Sequence, residues 1–172
     1  MAPPVVGNSE PFRGRFHQLE SFVFDPLPAQ GLALPIWTGG RSEAAVSRAA
    51  TLCDGYHASQ TGPADLRQRW PQIVERARAA GRPRPGLSVR SRVRFDAAVG
   101  PVYSLHGTAR AMVDELLAFD ETGVDELVVI FESGASVAPH DEQMERFHEQ
   151  VITPYRQALR ELADSLREQS SM

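Results

Sequence analysis

The chain has 172 residues, 42% of them hydrophobic, and a net charge of −4, so it can bury a core of its own but has no basic excess with which to grip a nucleic-acid backbone. Its one cysteine, Cys53, excludes an internal disulfide and a cysteine-rich zinc site. All 18 basic residues are arginine, which removes P-loop, Schiff-base and general-base lysine chemistry. The start of the chain lacks a basic segment followed by an apolar run, and no apolar run matches a bilayer, so a cytoplasmic protein without a membrane partner is expected.

Residues 1–34 hold Pro3, Pro4, Pro11, Pro26 and Pro28 among Phe12, Phe16, Phe22 and Phe24. Prolines at this frequency forbid a long helix, leaving an irregular leader with room for a short strand within 15–24. From residue 35 the pattern changes to strand–helix alternation. A strand at 35–38 leads to a helix at 42–52 with Ala45, Val46, Ala49 and Ala50 on one face. Residues 55–58 form the second strand, entered through Asp54-Gly55, where Asp54 organises the turn. A helix at 63–80 starts on a proline, presents Leu66, Trp70, Ile73, Val74 and Ala77, and ends at Gly81. Pro71 predicts a kink or local break inside it.

The third strand is 87–95. Its Arg90, Arg92 and Arg94 fall on one face by the period of two. Unpaired charge is costly inside a closed barrel, so these arginines predict paired carboxylates, a sheet face left open, or an anion site. Thr108 caps a helix running to Glu121 and stopping near Gly123. The run 126–131 has almost no alternation and predicts a strand buried on both faces. The last helix starts near Pro139, carries Met144, Phe147, Val151 and Ile152, is bent by Pro154, and continues an apolar stripe through Leu159, Leu162 and Leu166. Four successive units of this kind make an α/β fold with parallel strands, and a closed barrel of eight needs about 250 residues. The expected architecture is half of one, a partial barrel at 35–172 behind the leader at 1–34.

The junction Pro35-Ile36-Trp37-Thr38-Gly39-Gly40-Arg41-Ser42-Glu43-Ala44-Ala45 carries the most chemistry. A strand entering a helix through two glycines exposes unpaired helix N–H groups and a positive dipole end to an approaching anion. Gly39 and Gly40 keep Cβ atoms out of the way. Ser42 can cap the helix, and Arg41 can add a charge-assisted hydrogen bond. The same residues also serve an ordinary strand-to-helix turn.

The order of this junction with Phe12-Arg13-Gly14-Arg15-Phe16, Pro26-Leu27-Pro28-Ala29-Gln30 and Cys53-Asp54-Gly55-Tyr56-His57 resembles the luciferase-like monooxygenase superfamily. Gly107-Thr108, Thr122-Gly123-Val124-Asp125-Glu126-Leu127-Val128, Met144-Glu145-Arg146-Phe147 and Val151-Ile152-Thr153-Pro154 continue the resemblance along nearly the whole chain. It implies a (β/α)8-type fold, of which this chain matches strands five to eight, and oxidoreductase chemistry on reduced FMN or the deazaflavin F420. It further implies that Gly39, Gly40, Arg41 and Ser42 hold the cofactor phosphate, and that the substrate is a small molecule. Strands one to four, which supply much of the flavin pocket in that family, have no counterpart here. The expectation is therefore a truncated chain, a homo-oligomer, or one that pairs with a complementary half-barrel. The competing reading is a non-catalytic half-barrel that self-associates or docks on another chain.

His57, at the end of the second strand, is the candidate catalytic residue for proton movement or cofactor contact, against a packed histidine as the alternative. Tyr56, Trp37 and Trp70 read as core. Cys53 reads as a small buried residue and not a nucleophile. His140, Asp141, Glu142 and Glu145 read as acids favouring a helix start on a solvated face, with no metal site.

Overall fold

The computed structural model describes residues 11–20, 25–97, 100–134 and 137–170. Two units are distinguished, Met1–Ile36 and Trp37–Met172. In the first, β1 (Phe12–Arg13) and β2 (Gln18–Leu19) form a two-residue antiparallel pair. The Gly14 N–H donates to the His17 carbonyl at 2.8 Å and closes the turn between them. The strand expected within 15–24 is realised as β2 alone, since residues 21–24, with Phe22 and Phe24, lie outside the described residues. A single turn of 3₁₀ helix, Gly31–Ala33, follows.

The second unit begins with β3 (Trp37–Gly39), α1 (Glu43–Thr51), β4 (Gly55–Ser59), α2 (Pro63–Ala79) and β5 (Gly86–Phe95). It continues through β6 (Leu105–Gly107), α3 (Ala109–Glu121), β7 (Glu126–Ile130), α4 (His140–Phe147) and α5 (Thr153–Ser170). All its strand pairs are parallel, β3 to β4, β4 to β5, β5 to β7, with β6 on the end of β5. The expected four strand–helix units are present, and the architecture is part of a parallel α/β barrel. The short β6 was not foreseen from sequence. It is three residues long and, among the described residues, pairs only with Val93–Phe95.

Helix ends follow local chemistry. Ser42 Oγ accepts from the Ala45 N–H at 3.3 Å, and Thr108 Oγ1 from the Ala111 N–H at 3.2 Å. Gly81 at φ +68° and Gly123 at φ +75° supply the left-handed residue just past α2 and α3. The helix α2 runs through Pro71 without a break. Pro154 is accommodated differently. The turn before it, His148–Ile152, is π-helical, which removes the clash a proline ring makes with the carbonyl four residues back.

The sheet has two unlike faces. One packs on the helices. Tyr56, Leu66, Ile73, Leu87 and Val89 are buried there together with Val46, Ala49 and Ala50 of α1. Val93, Leu105, Met112, Phe147 and Val151 continue the core toward α3 and α4. The other face, which a complete barrel would turn inward, carries His57, Ser59, Ser88, Arg90, Arg92, Arg94, Glu126 and Val128. These residues alternate with the helix-facing ones along β4, β5 and β7.

Three expectations are corrected on this second face and at the chain end. Trp37 is not core. It is 44% exposed, and its indole lies across Gly55 and Gly86, where added Cβ atoms would come within 2.3 and 2.7 Å of the ring. The strand 126–131 is not buried on both faces: Leu127 and Val129 on the helix side are half-buried, and Glu126 and Val128 on the other side are exposed. The apolar stripe of the last helix is buried at Phe147 and Val151, but Met144, Leu162 and Leu166 are 56%, 53% and 63% exposed. In each case an apolar residue lies beyond the helix-facing core. Periodicity reports which residues share a face, and it does not report what covers that face.

Candidate functional site

Parallel strands bring all their C-terminal ends to one rim of the sheet, the rim on which barrel enzymes build their sites. The turn 39–42 stands at the end of β3. Gly40 has φ +109°, and the Tyr56 hydroxyl donates to its carbonyl at 2.9 Å, fixing the turn from below. A Cβ on Gly39 would lie 2.9 Å from the His57 carbonyl oxygen, so the adjacent strand itself requires glycine there. Gly39, Gly40, Arg41 and Ser42 are all exposed. Glu43 and Ala44 open α1, and among the described residues their N–H groups have no protein acceptor.

Two ion pairs tune the electrostatics of this turn. Glu43, a carboxylate in the first turn of α1, is bound by the Arg76 guanidinium of α2, so the positive helix end is not screened by a free acid. Arg41 is drawn to Asp65 at 3.1 Å, which places its guanidinium against the start of α2. The turn therefore offers open backbone donors, the Ser42 hydroxyl and one nearby arginine. This donor set fits a phosphate or carboxylate.

His57 stands in the middle of β4, in register with Gly39 on β3 and Ser88 on β5. Its Nδ1 lies 2.6 Å from Ser88 Oγ, and its Nε2 has no protein partner among the described residues. The structure thus sets His57 beside the glycine turn and on the inward face, with a ring orientation held by Ser88. Ser88 was not singled out from sequence. Its signal was parity, since a residue of β5 facing the same way as Arg90 and Arg92 must also face His57.

The three arginines of β5 are on one face as expected. Arg90 donates to Ser59 Oγ at 3.1 Å, Arg94 is paired with Glu132 at 2.9 Å, and Arg92 is exposed. With Gln60, Gly100–Ser104 and Glu132, the last two arginines line a cavity of about 300 Å³ on the same rim as the turn. Tyr103, also in its lining, is committed elsewhere. Its hydroxyl donates to Glu115 at 2.5 Å, and burial followed by that carboxylate pushes its pKa well above the usual tyrosine range. A larger cavity, about 480 Å³, lies between α3, β7 and the start of α5. It opens around Asp125 and Glu126, at the N-terminal end of β7, away from the rim where the other groups converge.

Cys53 is buried, and desolvation together with the Asp54 carboxylate raises its pKa, as an inert thiol requires. No group of three His, Cys, Asp or Glu side chains among the described residues is gathered as for a metal ion. His140 Nε2 instead lies 2.9 Å from Ser133 Oγ. No helix among the described residues is long and apolar enough to cross a membrane.

The fold has known counterparts. It overlays on the F420-dependent tetrahydromethanopterin reductase of Methanopyrus kandleri with a TM-score of 0.66 at 15% identity, covering 88% of this chain and 59% of that one. An F420-dependent secondary alcohol dehydrogenase, solved with an F420-acetone adduct, gives 0.63 at 15% identity over 84% and 55%. DmoA from Hyphomicrobium sulfonivorans gives 0.55 at 16% identity over 86% and 46%. The chain thus spans roughly half the length of the enzymes it resembles. A comparison with curated protein sequences gave no match. The family model for luciferase-like monooxygenases matches residues 5–169, and the chain belongs to that family.

Proposed function

We propose that this chain works in a luciferase-like oxidoreductase, anchoring the phosphate of a reduced flavin or F420 at the turn 39–42 and acting on a small-molecule substrate along the rim of the sheet. The observation that carries the reading is the exposed start of α1. It combines glycine backbone, a serine cap and unpartnered N–H groups, and its one carboxylate is neutralised by Arg76. The bound cofactor would supply the hydride or oxygen chemistry. The chain's own part is to bind and orient it, and to hold a proton at His57 Nε2, with Ser88 fixing the ring. Two of the structural counterparts are F420-dependent by name, which supports a deazaflavin without separating it from FMN.

Fluorescence titration with FMN and with F420 tests this. Gly40→Asp is a poor probe, because Gly40 sits at φ +109° with a Cβ position 3.1 Å from Ala45 Cβ. Ala44→Asp is better. An acid in the first turn favours the helix by about 0.3–1 kcal/mol, yet it places a carboxylate where the phosphate would sit. Saturable binding in the wild type, weakened about tenfold or more in Ala44→Asp at unchanged melting temperature, is expected. Equal binding by both proteins overturns the site.

A second reading has its own observation. The inward face of the sheet is exposed at Trp37, Arg92 and Val128, and a sheet with an open face favours self-association or docking on another chain. Sedimentation across a concentration series distinguishes it. A monomer throughout, with cofactor bound, leaves the first reading alone standing.

A further inference from the structure

The cavity between the ends of β4, β5 and β7 contains an unexplained group. Ser104 is 5% exposed and lines the cavity, and its Oγ has no hydrogen-bond partner among the described residues. A buried hydroxyl in a native fold ordinarily finds a donor or acceptor, and the pairing of Val93 with Leu105 puts Ser104 on the same face of the sheet as Arg92 and Arg94. Arg94 is held by Glu132 at 2.9 Å, and Arg92 has no carboxylate partner among the described residues. The lining therefore carries one guanidinium in excess of its carboxylates. Tyr103 donates to Glu115, the Gln60 N–H donates to the Arg90 carbonyl at 2.8 Å, and the Ser104 carbonyl accepts from His106 Nδ1 at 2.7 Å.

The wall that carries Ser104 is also firmly placed. The Tyr103 ring stacks edge-on against Phe119 at 6.0 Å and closes over Gly62, where a Cβ would lie 2.7 Å from the ring. On the other side of Ser104, the Leu105 N–H donates to Ser91 Oγ at 3.0 Å. Ser104 and the two arginines thus line one preformed cavity with surplus positive charge. That combination is complementary to a planar or tetrahedral oxyanion.

We propose that this cavity is a subsite for an anionic oxygen group, a carboxylate or phosphate, carried by the substrate, with Arg92 as the charge partner and Ser104 as the hydroxyl donor. The assignment rests on the proposed function only in calling the anion part of a substrate. Binding of the anion itself does not depend on the cofactor turn.

The test uses the full chain in the Ala44→Asp background, which disables the α1 turn as a competing anion site. Sodium phosphate and sodium acetate, at constant ionic strength, are titrated separately and followed by amide chemical shifts. Saturable shifts at Gly100–Ser104 are expected, with the tighter of the two probes naming the anion class. Arg92→Gln should weaken that binding roughly tenfold or more, as loss of a charged hydrogen-bond partner does. Ser104→Ala should weaken it several-fold while melting no lower than the parent, since it removes an unpartnered buried hydroxyl. Shifts absent from Gly100–Ser104, or binding indifferent to Arg92→Gln, overturn the proposal. Anion binding present in the wild type and lost in Ala44→Asp would do so too, while leaving the cofactor turn intact.

Discussion

The two faces of one strand, β5, make the most instructive comparison in this molecule. Leu87, Val89, Ser91 and Val93 face the helices and are buried, whereas Arg90 and Arg92, interleaved with them, face the other way and are exposed. Neighbours in sequence, paired in the same ladder, thus serve two different purposes. The helix-facing side is a close-packed apolar core that holds the unit together. The inward side is mostly polar, is open at its upper end, and carries His57, Arg92 and Arg94. A barrel enzyme separates stability from function in just this way, and the separation can be broken or sharpened by substitution.

The largest expected effect is on the packed side. Leu87→Ala should cost about 2–5 kcal/mol, lowering the melting temperature by roughly 5–15 °C. Val128→Ala, on the inward side of the neighbouring strand, should cost under about 1 kcal/mol because the side chain is already partly in water. A large loss at Val128 that shrinks on dilution would break the comparison, since it would show the inward face covered by another chain in solution. The smallest effect concerns Asp125, which joins the two sides at their base by accepting the Leu87 N–H at 2.7 Å and pairing with Arg84. Burial opposes its ionisation, but the Leu87 and Arg84 contacts outweigh this and hold its carboxyl below the usual carboxylate range. A depressed pKa contributes stability above the ordinary value of 3.8 and loses it as pH falls through the lower folded value. Asp125→Asn should therefore flatten the acid limb of the stability curve below that pH. The loss at neutral pH should stay under about 1 kcal/mol, as the pair is half exposed. An unchanged acid limb would remove Asp125 from the account.

What could be read from sequence divides along the same line. The helix-facing side was legible almost residue by residue. Ala45, Val46, Ala49 and Ala50 share a face because helical period demands it, and all four are buried. Both predicted caps, Ser42 and Thr108, bond as expected. The inward side was legible only as a pattern. The alternation of Arg90, Arg92 and Arg94 gave an open face among its alternatives, but Trp37 was misassigned, because a large apolar residue on a strand reads as core whichever face it occupies. Ser88 and Ser104 were missed for a related reason. A serine gains meaning from what stands across from it, and that partner comes from another strand or loop many residues away. The π-helical turn at His148–Ile152 answers Pro154 in a manner no local propensity encodes.

The placement of Trp37 has a practical consequence. The chain holds two tryptophans. Trp70 is buried on the helix side with the Arg84 guanidinium 5.0 Å from its ring centre, whereas Trp37 lies open across Gly55 and Gly86. An aqueous collisional quencher such as acrylamide would reach one indole and be kept from the other. Anything that settles on the inward face shields Trp37 alone, so the protein carries an unlabelled optical gauge of whether its open side is occupied.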